Sequence, residues 1–524
     1  MTTVNPVQLE IFNNRFRSIA EEMGVALQRT AFSPNIKERC DFSCGVFAGE
    51  GGLVAQAAHI PVHLGSMPLS VAAAVKAFSF VPGDMVLLND PFAGGTHLPD
   101  MTVVAPVFTP GGKEPSFFVA SRAHHADVGG SSPGSMALSD SIFQEGLIIP
   151  PVKIWKQGQP CGDLMNIIKK NVRTPEEREG DFEAQFMANL TGIHRLQELI
   201  QEHGLDRVHF YSQGLRDYSE KVMRSAIARI PDGTYSFCDY LDDDGLGTDN
   251  IVIDLELEIE GAEARLDFSR SGDQVRGSVN AVRAITLSAV LYCFRCLLGA
   301  DVPTNDGLLR PLQVRTRPGS VLDACFPAAV AGGNVETSQR VVDVVLGALS
   351  RALPREIPAA SQGTMNNVSV GGIDPRRNQP FTYYETLGGG MGASPRGTGA
   401  SGIHSHMTNT LNTPIEALEN SYPLLVREYS LRRDSGGDGK FPGGEGLQRE
   451  LELLADARVS ILSERRERNP YGLAGGHPGK SGLNLRGRDG FWEQLPGKFS
   501  GELKKGDILR IETPGGGGYG RPED

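Results

Sequence analysis

Two segments rich in histidine and aspartate stand close together in the first quarter of the chain. One reads Asn89-Asp90-Pro-Phe-Ala-Gly-Gly-Thr-His97-Leu-Pro-Asp100, the other His124-His125-Ala-Asp127-Val-Gly-Gly. Imidazole nitrogens and carboxylate oxygens converging on one point suit a divalent cation such as zinc, manganese or iron, with a position left open. Five of the eleven histidines fall between His59 and His125. Taken alone, His59 or His209 is better read as a hydrogen-bonded core residue. The cluster differs because Asp41, Asp90, Asp100 and Asp127 accompany it. His97 and Asp100, three apart in a constrained Gly/Pro loop, form the best ligand pair, with His124 third and Asp41 fourth. His125 and Asp127 are expected to orient ligands or move protons, as the outer partners of metal-bound histidines do.

The elements needed to bring these residues together are legible nearby. Residues 85–88, 101–108 and 116–121 are short, apolar and β-rich, and Thr109-Pro-Gly-Gly-Lys-Glu-Pro115 between the last two is a turn. An antiparallel meander of these strands sets the loop of His97 and Asp100 beside His124. A hairpin of 43–47 and 53–57 precedes it, with Asp41 and His59 at its open end. Leu9, Phe12, Phe16, Ile19, Met23 and Leu27 recur at helical spacing after Asn5-Pro6, a good helix start. Residues 163–230 read as largely helical, 251–259 and 264–268 as strands, 279–298 as a buried helix and 338–353 as another helix. Beyond Arg427 short strands alternate with glycine turns. The expected fold is mixed α+β, divided into a metal-bearing N-terminal region (1–230), a central α/β region with glycine-rich substrate loops (231–430) and a β-rich C-terminal region (431–524).

A second polar concentration lies in glycine-rich loops downstream: Gly332-Gly-Asn334-Val-Glu336-Thr-Ser-Gln339, Tyr384-Glu385, and Gly402-Ile-His404-Ser-His406-Met-Thr-Asn409. Such loops commonly shape substrate pockets, so Glu336, His404, His406 and Asn409, together with His63, are candidate substrate contacts. The plainer alternative is that these polar groups satisfy loop backbone. Three other motifs are set aside. Ala474-Gly-Gly-His-Pro-Gly-Lys480-Ser481 matches a loose P-loop but lacks a strand leading in and a helix leading out. Cys293-Phe-Arg-Cys296 lies within an apolar helical run, where buried thiols are expected. The terminal Pro514-Gly-Gly-Gly-Gly-Tyr519-Gly suits a packed tail as well as an anion loop.

Composition narrows the setting. A net charge of -12 over 524 residues offers no basic field for nucleic acid. Seven scattered cysteines do not make a disulfide framework. The start of the chain does not read as a signal peptide, and the longest apolar run, 281–300, carries Arg283 and Arg295, so no membrane span is expected. A cytoplasmic enzyme is the expectation. The 64 glycines stand well above the usual ~7% share and come in tight clusters between apolar segments.

Several of these motifs together resemble the hydantoinase B family: Lys37-Glu-Arg-Cys-Asp41-Phe-Ser-Cys, His59-Ile-Pro-Val-His63-Leu-Gly-Ser-Met, the Asn89 to Asp100 run, Gly332-Gly-Asn-Val-Glu-Thr-Ser, Asn409-Thr-Leu-Asn-Thr-Pro-Ile-Glu416, Asp434-Ser-Gly-Gly-Asp-Gly and the glycine-rich terminus. The family includes the corresponding half of 5-oxoprolinase and subunits of acetone and acetophenone carboxylases. The resemblance implies a hetero-oligomer. A hydantoinase A-type partner of actin-like ATPase fold would use ATP to phosphorylate the amide oxygen of a small cyclic amide. The B-type chain would carry the metal, zinc first with manganese or iron as alternatives, and direct water at the activated carbon. Carried over residue by residue, Asp41, His97, Asp100 and His124 are the metal-associated positions, with Asp41 the general base in an alternative assignment. The compact chain is closer to a hydantoinase or oxoprolinase subunit than to a large ketone carboxylase subunit. Ketone carboxylation and a non-catalytic scaffold for the ATPase remain as the other readings.

Overall fold

The computed structural model describes residues 4–57 and 59–522. Its first sheet contains β1 (Phe42–Ala48), β2 (Leu53–Gln56), β3 (Met85–Leu88), β4 (Asp100–Val107), β5 (Phe117–His124), β6 (Val152–Lys156) and β7 (Gln159–Pro160). These lie in the order β2-β1-β5-β4-β3-β6-β7, every neighbouring pair antiparallel. The hairpin and meander expected from alternation are both present. The third meander strand runs further than its sequence suggested, through Arg122 and His124. Arg122 stays in the strand because each of its three guanidinium nitrogens finds an acceptor on a buried face, donating to Thr102 Oγ1 at 2.9 Å and to Ser66 Oγ and Ser70 Oγ at 2.7 Å each.

Both faces of this sheet are covered. Phe12, Phe16, Ile19, Met23 and Leu27 of the Pro6–Thr30 helix are buried on one face, together with Phe182 and Phe186 of the Pro175–His203 helix. Asn5 starts the first helix by accepting the Val7 and Gln8 amides at 3.0 and 3.2 Å. The Met67–Ala77 helix covers part of the other face, where Met67, Val71 and Ala74 meet Phe47, Val104 and Phe118. That second face changes from apolar to polar along the strands. In register order, Thr102, Arg122 and Ser43 form one row, and Asp100 and His124 pair in the next. Asp41 continues that second row, its carbonyl accepting the His124 amide at 3.0 Å.

A second sheet orders β8 (Gly233–Asp243), β9 (Asp249–Glu260), β10 (Glu263–Asp267) and β11 (Leu312–Arg315) as β11-β10-β9-β8. The buried Arg283–Arg295 and Ser338–Ala352 helices pack beside it and share the first sheet's core. The rest is β-rich: β12 (Asn367–Asp374), β13 (Gln379–Glu385), β14 (Leu424–Arg432), β15 (Gly446–Leu453), β16 (Ala457–Leu462), β17 (Leu483–Arg488), β18 (Phe491–Leu495), β19 (Lys498–Leu503) and β20 (Ile508–Glu512). They form two sheets, β13-β12-β16-β19 and β14-β15-β20-β17-β18, around a separate apolar core. Sheet pairing therefore crosses the 430/431 line drawn from sequence. Among the described residues no helix is long and apolar enough to cross a membrane.

The glycine clusters knit these strands together. The terminal glycines are packed, with no anion loop: Gly390 donates to Pro514 O at 3.0 Å, Gly516 to Gly444 O at 2.9 Å, Gly437 to Gly516 O at 2.8 Å and Gly518 to His477 O at 2.9 Å. The P-loop-like stretch belongs to the same bundle and leads into β17, not into a helix.

Candidate metal centre

His97, Asp100 and His124 converge. His97 Nε2 stands 3.2 Å from Asp100 Oδ1, and His124 Nδ1 stands 3.5 Å from the same oxygen. One donor atom from each of the three lies within 4.8 Å of the others, and all three side chains are buried. The pairing of β4 with β5 sets Asp100 opposite His124. His97 arrives from the loop between β3 and β4, whose shape is set locally. Asp90 Oδ1 accepts the Phe92 amide at 2.9 Å, and Gly94 turns at φ +98°, pressed so closely on Leu69 that a side chain would collide with its carbonyl. Asn89 clasps the loop, donating to Leu98 O at 2.8 Å and Leu147 O at 2.9 Å. Asp90 and Asn89 are thus committed to backbone.

His63 joins the group. Its Nε2 lies 3.4 Å from Asp100 Oδ2, and its Nδ1 shares a 2.8 Å hydrogen bond with Ser43 Oγ. Thr96 Oγ1 donates to Asp100 Oδ2 at 2.7 Å. Burial pushes the Asp100 carboxyl up, yet His97, His63 and the contact from His124 hold it well below the usual range. Burial also lowers His63 and His124, against the pull of Asp100. A neutral imidazole beside an ionised carboxylate is the protonation state in which both can ligate a cation.

Two of the three spacings suit an ion, and the third lies within 4.8 Å. Tetrahedral zinc with bonds of ~2.0–2.1 Å separates its ligand atoms by roughly 3.3 Å, close to the 3.2 and 3.5 Å distances here. Asp41 lies beside the group in the same row but outside the three-donor set. Burial raises its carboxyl, while His124 and Arg39 pull it down, the Arg39 guanidinium lying 3.9 Å away.

Distant segments close the group. Asn334 Nδ2 lies 3.1 Å from His97 Nε2, and Asn334 Oδ1 is buried without a partner. Tyr384 of β13 stacks on the His124 ring at 4.5 Å and 10°. Its hydroxyl donates to Asn367 Oδ1 at 2.8 Å, and Asn367 Nδ2 donates to Glu336 Oε1 at 2.7 Å. Burial pushes Glu336 up to about 8. Arg39 donates to the Tyr384 carbonyl at 3.2 Å. Asn334 and Tyr384 stood in the polar motifs of the sequence without a role; only their glycine-rich and paired-polar surroundings marked them.

Other expected site residues lie elsewhere. His125 is turned to the opposite side, its Nε2 2.9 Å from Gln185 Oε1 and its ring against Phe182. Adjacent residues at a strand end face opposite sides, so His124 and His125 could not both reach the group. Asp127 is taken by Arg173, which approaches it through both its amide at 2.8 Å and its guanidinium at 2.7 Å. His404 faces Asn412 at 3.3 Å, His406 faces the Tyr292 hydroxyl at 3.3 Å, and Asn409 donates to His59 O at 3.2 Å. No contact among the described residues joins these three to the group. Asn409, His59, Pro61, Leu64 and Tyr292 line a cavity of about 480 Å³. The Pro61–His63 turn separates that cavity from Asp100.

The hydantoinase B/oxoprolinase family pattern matches residues 5–522, taking in both the paired Asp100 and His124 and the distant Asn334 and Tyr384. The chain belongs to this family. It is 43% identical to a 5-oxoprolinase of Dictyostelium discoideum over 100% of its own length and 41% of that protein's. With the B-type subunit of a putative D-/L-hydantoinase from a Pseudomonas species it shares 30% identity over 99% of this chain and 90% of the other. The chain thus spans about two fifths of the 5-oxoprolinase and nearly all of the hydantoinase polypeptide. The ATP-dependent caprolactamase from Pseudomonas jessenii superposes with a TM-score of 0.91 at 30% identity, covering 99% of this chain and 92% of that one. An acetone carboxylase structure shares the fold, with a TM-score of 0.91 at 19% identity over 99% of this chain and 76% of the other.

Proposed function

We propose that this chain is the metal-bearing part of an ATP-dependent cyclic amidohydrolase, opening a lactam or hydantoin ring together with an ATPase polypeptide of the hydantoinase A type. The observation that carries the reading is the buried His97–Asp100–His124 group, in a family member whose relatives bear the names 5-oxoprolinase and hydantoinase. Two fifths coverage of the 5-oxoprolinase leaves ample chain there for an ATP-using part. The acetone carboxylase likeness, at 19% identity, concerns the fold alone and gives no support to a carboxylase.

His97 Nε2, Asp100 Oδ1 and His124 Nδ1 would hold the ion, zinc first with manganese or iron as alternatives, once Asn334 Nδ2 yields its contact with His97 Nε2. Asp41 is a further carboxylate in the same row. Such an ion supplies Lewis acidity toward an oxygen atom at neutral pH. The protein's own residues do the rest. His63 and Thr96 fix the second oxygen of Asp100, leaving Oδ1 directed at the two imidazoles. Tyr384 covers the His124 ring and keeps bulk water from it. Asn334 Oδ1, buried and without a partner in the protein, would be free to accept the N–H of a cyclic amide. Asp41, raised by burial, is suited to taking a proton from water. Phosphorylation of the amide oxygen by the ATPase partner would remove the resonance that protects the amide carbon. Water would add there, and the ring C–N bond would break with a proton passing to nitrogen. A second water would split the resulting acyl phosphate into carboxylate and phosphate.

The test is turnover of 5-oxoproline, hydantoin and caprolactam with ATP, the chain being assayed with and without its ATPase partner, alongside metal analysis. Bound metal with ATP-dependent ring opening that falls at least ~100-fold in His97→Ala supports the reading. A metal-free chain whose His97→Ala variant sustains full turnover refutes it.

A further inference from the structure

Glu145 lies 185 residues before Val330 in sequence, yet its carboxylate ends at the start of the helical segment that reaches His97. The side chain is fully buried. Oε1 accepts the Val330 amide at 2.9 Å, the Ala331 amide at 3.0 Å and the Ser139 hydroxyl at 2.8 Å, while Oε2 lies 3.2 Å from the Val330 amide. Helical backbone begins at Ala331, passes through a π-helical turn at Gly333–Thr337 and continues as Ser338–Ala352. The first amides of a helix have no partner within it, and a carboxylate there also faces the positive end of the helix dipole. Glu145 thus acts as a cap supplied from a remote segment.

The capped turn holds Asn334, whose Nδ2 lies 3.1 Å from His97 Nε2. A second tie links the two segments, the Ile142 amide donating to Pro327 O at 3.1 Å. A π turn spaces its amides more loosely than an α-helix, so its register depends on outside anchors. At this end the anchors are the Glu145 carboxylate, the Asn280 amide, which donates to Ala329 O at 3.0 Å, and Ser278 O, which accepts the Gly333 amide at 3.0 Å. Of these only Glu145 takes the Val330 and Ala331 amides. We infer that Glu145 is a positioning residue for the His97–Asp100–His124 group, acting through the helix start to set Asn334 against the His97 ring.

The inference rests on the metal reading above only for its zinc readout. Four forms of the whole chain are compared with wild type: Glu145→Ala, Glu145→Gln, Asn334→Ala and the Glu145→Ala/Asn334→Ala pair. In metal-free protein, Glu145→Ala should speed amide hydrogen exchange at Val330 and Ala331 by about tenfold or more, as expected for lost charge-assisted bonds. Zinc affinity, read by competition with a chromophoric chelator, should shift by about tenfold or more in Glu145→Ala, because Asn334 Nδ2 lies against the same His97 nitrogen that would bind the ion. Adding Glu145→Ala to Asn334→Ala should then shift it less than about threefold more, because both act along one path.

Exchange that stays at the wild-type rate overturns the proposal, and so do zinc shifts that multiply in the pair. Glu145→Gln keeps an oxygen for the three donors and should stay near wild type; should Glu145→Ala fail to fold, Glu145→Met, which keeps the volume without an acceptor, is read in its place. Should wild type take up none of zinc, manganese and iron, the metal reading fails by itself. The positioning role is then judged by exchange together with the ¹⁵N shifts of the His97 ring in Glu145→Ala, or in Glu145→Met where Glu145→Ala does not fold. Faster exchange with a moved ring resonance supports it; an unmoved ring overturns it.

Discussion

Replacing Gly516 by alanine tests whether the glycine bundle sets the position of the segment that follows Tyr384. Gly516 is buried where three chains cross: it donates to Gly444 O at 2.9 Å and accepts from the Gly437 amide at 2.8 Å. A Cβ at this position would lie 2.1 Å from Met391 O and 2.3 Å from Met391 C, whereas ordinary contact begins near 3.4 Å. Because the obstacle is backbone, no side chain can swing away, and one chain must move by more than an ångström. Overpacking of this kind costs ~1–3 kcal/mol, and a displaced chain leaves at least one buried backbone group unpaired for a further ~1–3 kcal/mol. The expected loss is about 3–5 kcal/mol, a large share of the ~5–15 kcal/mol by which folded domains are stable. Urea unfolding followed by circular dichroism measures it. Gly397→Ala is the control, since Gly397 lies in the same region with nothing within 4 Å of an added Cβ, and it should fall within about 0.5 kcal/mol of wild type. A Gly516→Ala protein within ~1 kcal/mol of wild type refutes the argument, as does a Gly397→Ala protein equally damaged.

His125→Asn should leave zinc uptake unchanged while lowering stability by about 1–3 kcal/mol through lost packing on Phe182 and the lost Gln185 contact. His124→Ala should abolish uptake, and equal metal loss in both variants would show that the face assignment is wrong. Tyr384→Phe keeps the ring on His124 but strips Asn367 Oδ1 of its donor, so unfolding should show a loss of about 1–3 kcal/mol with zinc affinity unaltered. Burial raises the Glu145 carboxyl from 4.5 to about 7, although the Ala331 amide, Ser139 and the Val330 amide oppose it. With the folded value above the unfolded one, the folded chain binds the extra proton between those limits, so the contribution of Glu145 to stability is lost as pH rises from 4.5 to about 7. Glu145→Gln carries no such titration, and its stability relative to wild type should rise by up to about 3 kcal/mol across that window. A difference that is flat with pH, or that falls, would contradict the burial argument.

What the sequence made legible was whatever local spacing controls. The Asn5-Pro6 start, the Gly/Pro turns and the alternation of β3, β4 and β5 all act within a few residues, and the meander they define sets Asp100 across from His124. The end of β5 was harder to see because Arg122 looks like a strand breaker until Ser66, Ser70 and Thr102 are known to surround it. His125 and Asp127 looked like site residues because of their neighbours in sequence, but strand alternation and the nearby Arg173 decided otherwise. Asn334, Tyr384, Arg39 and Glu145 reach their places through contacts spanning 185 to 345 residues. No periodicity records a partner at that distance.

The two kinds of contact have different tasks. The meander alone could bring two imidazoles and a carboxylate together, but on an open sheet face water would screen them and the side chains would be free to turn. Asn334, Tyr384 and His63 arrive from other segments and leave Asp100 and His97 no more than 1% exposed. In that environment an ionised Asp100 requires positive charge or hydrogen-bond donors beside it, since a buried lone carboxylate is costly. His63 and His124, which burial holds toward the neutral form, lower that cost only in part. A dication shared by these donors would neutralise the carboxylate without requiring any of the imidazoles to become protonated. The distant segments thus change a cluster that water would satisfy into one for which a cation is the better partner.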